Sequence, residues 1–180
     1  MQINYQSVID HFYKEDDALR HILLVHSRQV ADKALQIASR HPELQLDTDF
    51  LETAAMLHDI GIRECDAPGI QCFGKEPYIR HGVIGGQMLR EKGLERHARV
   101  CERHTGTGLT AWDIEQQQLQ LPHQDFMPET LEEQVVCYAD KFYSKSDLSL
   151  ERSVVQTAQS LEKFGEAGVK KFLKWVELFE

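Results

Sequence analysis

The sequence predicts an all-α fold. Three observations carry that expectation. Apolar residues recur at three- and four-residue intervals in most segments. Capping residues stand before these segments, and Gly or Pro stands after them. No stretch alternates convincingly with period two. Residues 1–180 read as a single domain of seven to nine helices, with no internal repeat and no low-complexity linker.

Taken in order, "HILLVHSRQVADKALQIASR" places Ile22, Leu23, Val30, Ala34 and Ile37 on a helical pattern that Pro42 breaks. "DTDFLETAAMLHDIG" opens with Asp and Thr as candidate caps and stops at Gly61. "RECDAPGIQCFGKEP" reads as a loop. "YIRHGVIGGQMLREKG" and "LERHARVCERHTG" are helices closed by Gly93 and Gly106. The segment "TGTGLTAWDIEQQQLQLPHQDFMPE" is the least regular, a short helix followed by an extended loop, with Trp112 and Phe126 either packing that loop or stacking on a base. "TLEEQVVCYADKFYSKS" is a helix with Thr130 as cap and Glu133 completing a capping box. Two amphipathic helices close the chain. There Phe172, Trp175 and Phe179 either complete the core or form a homodimer face.

Composition narrows the function classes. The formal net charge is −9, which argues against a grip on a nucleic acid polymer, because neutralising its phosphates takes clustered Lys and Arg. A small phosphorylated substrate stays open, since a bound cation inverts the local field. The four cysteines include no C-x-x-C pair and no zinc-finger spacing, and the N-terminus lacks a basic region followed by an apolar run. Reduced thiols in a cytoplasmic protein are expected, with no membrane partner.

The informative residues are polar groups on apolar helix faces. His26 shares a stripe with Val30, Ala34 and Ile37, and His58 shares one with Leu51 and Ala54 or Ala55. His81 lies with Ile84, Gly85 and Met88; His104 follows Val100 and Cys101; Asp140 lies with Val136 and Tyr143. With Asp59 beside His58, six imidazole and carboxylate groups point inward. Singly, each reads as a hydrogen-bonded core residue, and Asp140 could simply pair with Lys141. Jointly they would need six separate satisfied networks, whereas one metal centre satisfies all of them. Mixed nitrogen and oxygen donors suit iron or manganese, with zinc and nickel also compatible and magnesium less apt. Six ligands exceed what one open metal needs and suit two metals roughly 3.5–4 Å apart. His97 and His123 have no supporting pattern and receive no role.

These residues carry a resemblance. "HSRQVADKALQIA", "AAMLHDIG", "RHGVIGGQML", "ERHTG" and "VVCYADKF" resemble, in order, the HD-domain superfamily of metal-dependent phosphohydrolases, in its HDIG branch. The likeness covers about residues 20–146 and leaves the amphipathic helices of about 147–180 outside it. It implies His26, His58, Asp59 and Asp140 as shared metal ligands, with His81 and His104 completing a dinuclear site and Asp59 bridging. The surroundings of His81 and His104 are similar to the bacterial branch that hydrolyses dinucleoside polyphosphates. The resemblance therefore implies two divalent metals and hydrolysis of a phosphate ester or anhydride of a nucleotide-like substrate. Asp59 and Asp140 would act as catalytic carboxylates. Ile62 stands where many relatives carry Lys, and Arg63 follows. Arg28, Arg63, Arg103 and Lys141 are the candidate phosphate-binding residues, with Arg80 and Lys145 as further bases nearby. Two other readings stay open: di-iron oxygenases of the same superfamily, and a non-catalytic nucleotide-binding module.

Overall fold

The structure, a computed structural model, describes residues 3–180. Among them are nine α-helices: α1 (Tyr5–Phe12), α2 (Ala18–Arg40), α3 (Thr48–Leu57), α4 (His81–Arg90), α5 (Glu95–Arg103), α6 (Ala111–Gln116), α7 (Leu131–Asp140), α8 (Val154–Leu161) and α9 (Glu166–Phe179). The fold is all-α, as the periodicity predicts. Side-chain caps set the helix starts. Asp17 accepts from the Arg20 amide and Asp47 from the Phe50 amide, while Thr130 with Glu133 and Ser153 with Gln156 form capping boxes. No helix among the described residues is long and apolar enough to cross a membrane.

One expectation fails. The segment read as a loop, "RECDAPGIQCFGKEP", contains a small three-stranded sheet of β1 (Cys65–Ala67), β2 (Cys72–Phe73) and β3 (Glu76–Pro77), in the order β2-β1-β3. β1 pairs with β2 antiparallel, Asp66 opposite Phe73, and with β3 in parallel, Cys65 opposite Glu76. Strands of two or three residues are too short to display a period of two, so composition alone reads them as a loop.

The core is built around α2, which packs on α3 and α7, while α4 packs on α5 and on the 3₁₀ turn Ile60–Glu64. Leu23, Val30, Leu51, Leu57, Ile60 and Val136 lie at its centre, fully buried. Tyr13, just past α1, donates its hydroxyl to the Ile60 carbonyl at 2.9 Å and so ties the N-terminal helix to that turn. At the other end Phe172, Trp175 and Phe179 are buried against α7: Tyr138 stacks on Phe172, and the Trp175 indole N–H donates to Gln134. The C-terminal helix therefore completes the core and braces the helix that ends in Asp140. Phe126 is buried, its backbone paired with Leu109, whereas Trp112 is two-thirds exposed, at 66%. All four cysteines are buried and free.

Candidate metal centre

Five segments deliver one or two polar side chains each to a single buried point. His26 comes from the first half of α2, Asp140 from the last residue of α7, and His81 from the first of α4. His104 sits at the C-cap of α5. His58 and Asp59 occupy the junction where α3 ends and the 3₁₀ turn begins. That break matters, because two adjacent residues of a regular helix cannot face one point, and the change of helix type turns both inward.

The six donors form two groups that share Asp59: His26, His58, Asp59 and Asp140, and Asp59, His81 and His104, with ligand atoms within 4.8 Å of one another in each group. Asp59 faces the groups with different oxygens. Its Oδ2 lies 3.3 Å from His26 Nε2 and 3.1 Å from His58 Nε2. Its Oδ1 lies 3.6 Å from His81 Nε2 and 3.4 Å from His104 Nε2. Asp140 Oδ1 closes the first group at 2.9 Å from His26 and 3.5 Å from His58. The two Asp59 oxygens thus face different pairs of histidines.

Backbone carbonyls fix the imidazole tautomers by a repeated device. His58 Nδ1 faces the Ala55 carbonyl at 2.6 Å, His81 Nδ1 that of Tyr78 at 2.7 Å, and His104 Nδ1 that of Cys101 at 2.7 Å. Each carbonyl lies three residues upstream. A carbonyl only accepts, so each Nδ1 carries a hydrogen, and in the neutral ring each Nε2 presents its lone pair to the centre, as in metal-ligating histidines generally. His81 Nε2 and His104 Nε2 then meet at 3.0 Å, lone pair against lone pair. Neutral imidazoles cannot hold that approach favourably; a shared cation resolves it. His58 Nε2 and Asp59 Oδ1 are likewise buried with no hydrogen-bond partner. Each such atom costs about 1–3 kcal/mol if left unpaired. These orphaned donors fit divalent cations in both groups.

The electrostatics divide the site. Burial opposes ionisation of Asp59, but the charges of His58 and Lys145 prevail and hold its carboxyl well below the usual range. Burial also opposes protonation of His58, yet Asp59 and Asp140 raise that imidazole to about 9. His81 goes the other way: burial, then the neighbouring His104, push it down to about 3, and burial lowers His104 as well. Asp140 is held low against burial by Lys141 and Lys145. One half of the metal-free centre is therefore an ion-paired network, the other a pair of neutral imidazoles.

Of the expected phosphate-binding residues, Lys141 reaches the centre, with Nζ 2.7 Å from Asp140 Oδ2 and 2.9 Å from the His104 carbonyl. The arginines are engaged elsewhere. Arg28 pairs with Glu52 and the Tyr5 hydroxyl, Arg63 with Glu64 while lying over the Tyr13 ring, and Arg103 with Glu129 and the Met127 carbonyl. Each is within one turn of a cluster residue in sequence but is directed by its own helix to a different partner. Arg80 pairs with Glu76.

Two further residues reach the centre: Lys145, read from the sequence only as a nearby base, and Tyr78, which has no sequence signal of its own. Lys145 lies in the turn past α7, off any helix periodicity, yet its ammonium is 2.7 Å from Asp59 Oδ2. Tyr78 stacks on His81 with ring centroids 4.6 Å apart, besides supplying its carbonyl. His97, assigned no role, is buried with Nε2 at 2.9 Å from Thr53 Oγ1. Its spacing of seven from His104 places it on the same face and was available as a signal.

Comparison with known proteins agrees with this geometry. The family model described as HD domain matches residues 23–144. The chain is 34% identical over 124 residues to a tRNA (cytidine(56)-2'-O)-methyltransferase of Picrophilus torridus, covering 68% of this chain and 32% of that protein. A protein of the same description from Thermoplasma volcanium is 30% identical over 123 residues, again 68% of this chain and 32% of the relative. An uncharacterized protein of Methanocaldococcus jannaschii is 36% identical over 107 residues, 59% of this chain and 56% of the relative. The chain thus matches about a third of the two methyltransferases and about half of the third relative. No solved structure matches significantly.

Proposed function

Because the chain belongs to the HD domain family, we propose that it is a metal-dependent phosphohydrolase that cleaves a phosphate ester or anhydride of a nucleotide-like substrate. The observation that supports this most is Asp59, completely buried, with one oxygen toward His26 and His58 and the other toward His81 and His104. On this reading His26, His58, Asp59 and Asp140 hold one cation, and Asp59, His81 and His104 hold a second, iron or manganese being best suited to the donor set. Divalent cations at such a centre acidify a water and screen charge on phosphoryl oxygens.

The chain's own groups supply the rest. Asp59 is fixed between the donor sets and orients both. Asp140, the less deeply buried of the two cluster carboxylates, would accept the nucleophile's proton. Lys141 and Lys145 balance the two carboxylates and leave a site that is not repulsive to an anion. Trp112, exposed after the glycine-rich stretch that follows His104, offers a stacking surface for a base. Dinucleoside polyphosphates are the first substrates to assay.

Methyl transfer, named for two relatives, does not carry over to this chain. The match covers a third of those proteins, and the six buried donors are the chemistry of a metal centre rather than of methyl transfer. The test is phosphate or nucleotide release from a panel of nucleotides, dinucleoside polyphosphates and sugar phosphates, using Mn²⁺- or Fe²⁺-loaded protein with an Asp59→Asn control. Metal-dependent release absent from the control supports hydrolysis. Oxygen consumption with a phosphonate or diol, and no release, would move the protein to the oxygenase reading.

A further inference from the structure

The centre holds two lysines in seemingly equivalent positions, each 2.7 Å from one of the two carboxylates. Their surroundings differ. Lys141 has a second anchor in the His104 carbonyl, which no cation or substrate competes for, and it sits at the C-cap of α7. Its place is structural: it joins the end of α7 to the end of α5, and so Asp140 to His104.

Lys145 has no backbone anchor. Its Nζ pairs with Asp59 Oδ2, the oxygen that also faces His26 and His58, and it lies near enough to the Tyr78 hydroxyl to act on it electrostatically. It is carried by the turn after α7, in a run with exposed Ser146 and Asp147. Only 13% of its side chain is exposed. A cation held by Asp59 takes the same Oδ2 lone pairs, which leaves this ammonium nearly buried and without its counter-ion. A buried charge that loses its partner is strongly destabilised, so it needs another anion at the same spot. A phosphate oxygen beside the cations fits that need, and the flexible four-carbon stem of Lys lets the ammonium swing by the short distance required.

We infer that Lys145, and not Lys141, is the residue that takes a non-bridging oxygen of the substrate's phosphate, exchanging Asp59 for substrate when the centre is filled. Tyr78 is its positioning residue, coupling it to His81 through ring stacking and the carbonyl that sets the His81 tautomer. This rests on the phosphohydrolase reading for the identity of the anion.

The test uses the full chain and inorganic phosphate as probe. Calorimetry measures phosphate binding to the Mn²⁺-loaded parent, Lys145→Met, Lys145→Arg and Lys141→Met, and Mn²⁺ binding to each metal-free form. Lys145→Met should still bind two metals. It should bind them about tenfold more tightly, since an ammonium no longer competes for Asp59. Its phosphate affinity should fall roughly 10- to 100-fold, the range of one charge-assisted hydrogen bond. Lys145→Arg should recover part of that loss, and Lys141→Met should lose less phosphate affinity than Lys145→Met. Phosphate binding within twofold of the parent in Lys145→Met overturns the inference, as does loss of metal from that variant, a larger loss in Lys141→Met, or no phosphate binding by the parent. Lys145-dependent phosphate binding without turnover of any panel substrate would instead refute hydrolysis and leave the anion site standing.

Discussion

Substituting Gly61 with Ala should dismantle half of the centre without touching a ligand. A Cβ on Gly61 would stand 2.2 Å from the His81 carbonyl oxygen and 2.4 Å from the Gly85 amide nitrogen, both backbone atoms of α4. Ordinary contact is about 3.4 Å or more, so α4 must retreat by about 1 Å, and no rotamer change can substitute for that. Gly61 has no positive φ, which makes the effect steric rather than conformational. His81 is the first residue of α4 and moves with it. Metal–ligand distances tolerate only about 0.2 Å, so a 1 Å displacement removes His81 from the second donor set. Overpacking of this kind costs about 1–3 kcal/mol, or roughly 2–12 °C in Tm for a chain of this size. Elemental analysis and thermal melting of Gly61→Ala and Gly69→Ala decide the matter, because a Cβ on Gly69 would meet nothing within 4 Å. The expected result is about one metal and a lowered Tm for Gly61→Ala, with parental values for Gly69→Ala. Two metals and an unchanged Tm in Gly61→Ala would refute the claim that this glycine sets the approach of α4 to the centre.

Other consequences can be measured directly. A His81→Ala, His104→Ala double variant should drop from about two metals to about one, while Asp59→Asn should retain neither tightly; equal metal content in all three proteins would exclude Asp59 as a shared ligand. Metal must displace the proton that His58 holds with a pKa near 9, so Mn²⁺ affinity should rise between pH 7 and pH 9 with proton release, visible as buffer-dependent calorimetric heat. In the metal-free protein the same proton is stabilising: the contribution is full below about pH 6.5 and lost as pH rises through 9. His97 has the opposite sign. Burial, with Arg96 nearby, lowers it to about 4, so the unfolded chain takes the proton first, and up to about 3 kcal/mol of stability is lost as pH falls from about 6.5 to 4. His97→Leu should flatten that part of the stability curve, and an unchanged slope would assign the acid sensitivity to other groups.

Much of the centre is legible in the sequence because helices translate spacing into direction. His26 with Val30, Ala34 and Ile37, and Asp140 with Val136, are inward-facing by period alone, and the structure buries each of them. The capping boxes at Thr130 and Ser153 set helix starts through local hydrogen bonds, which need no knowledge of the rest of the chain. The three-stranded sheet was not legible, since its strands are held by partners and by Gly74, whose amide donates to the Cys65 carbonyl, rather than by any pattern of their own.

What local sequence determines here is which side chains face inward: four histidines and two aspartates, directed by periodicity and caps, while the helix break falls at His58–Asp59 rather than at Gly61. Tertiary packing alone decides how they meet. His26 and Asp140 lie 114 residues apart, yet come within 2.9 Å. Which Asp59 oxygen faces which histidines depends on how closely α4 approaches the turn at Gly61. The cations follow the same rule. Arg28, Arg63 and Arg103 are near the ligands in sequence but satisfied by other partners, whereas Lys145, beyond the end of its helix, reaches Asp59. The reason is physical: a long charged side chain goes to whichever counter-charge the folded chain brings within reach, and that is a property of distances between elements, not of spacing within one.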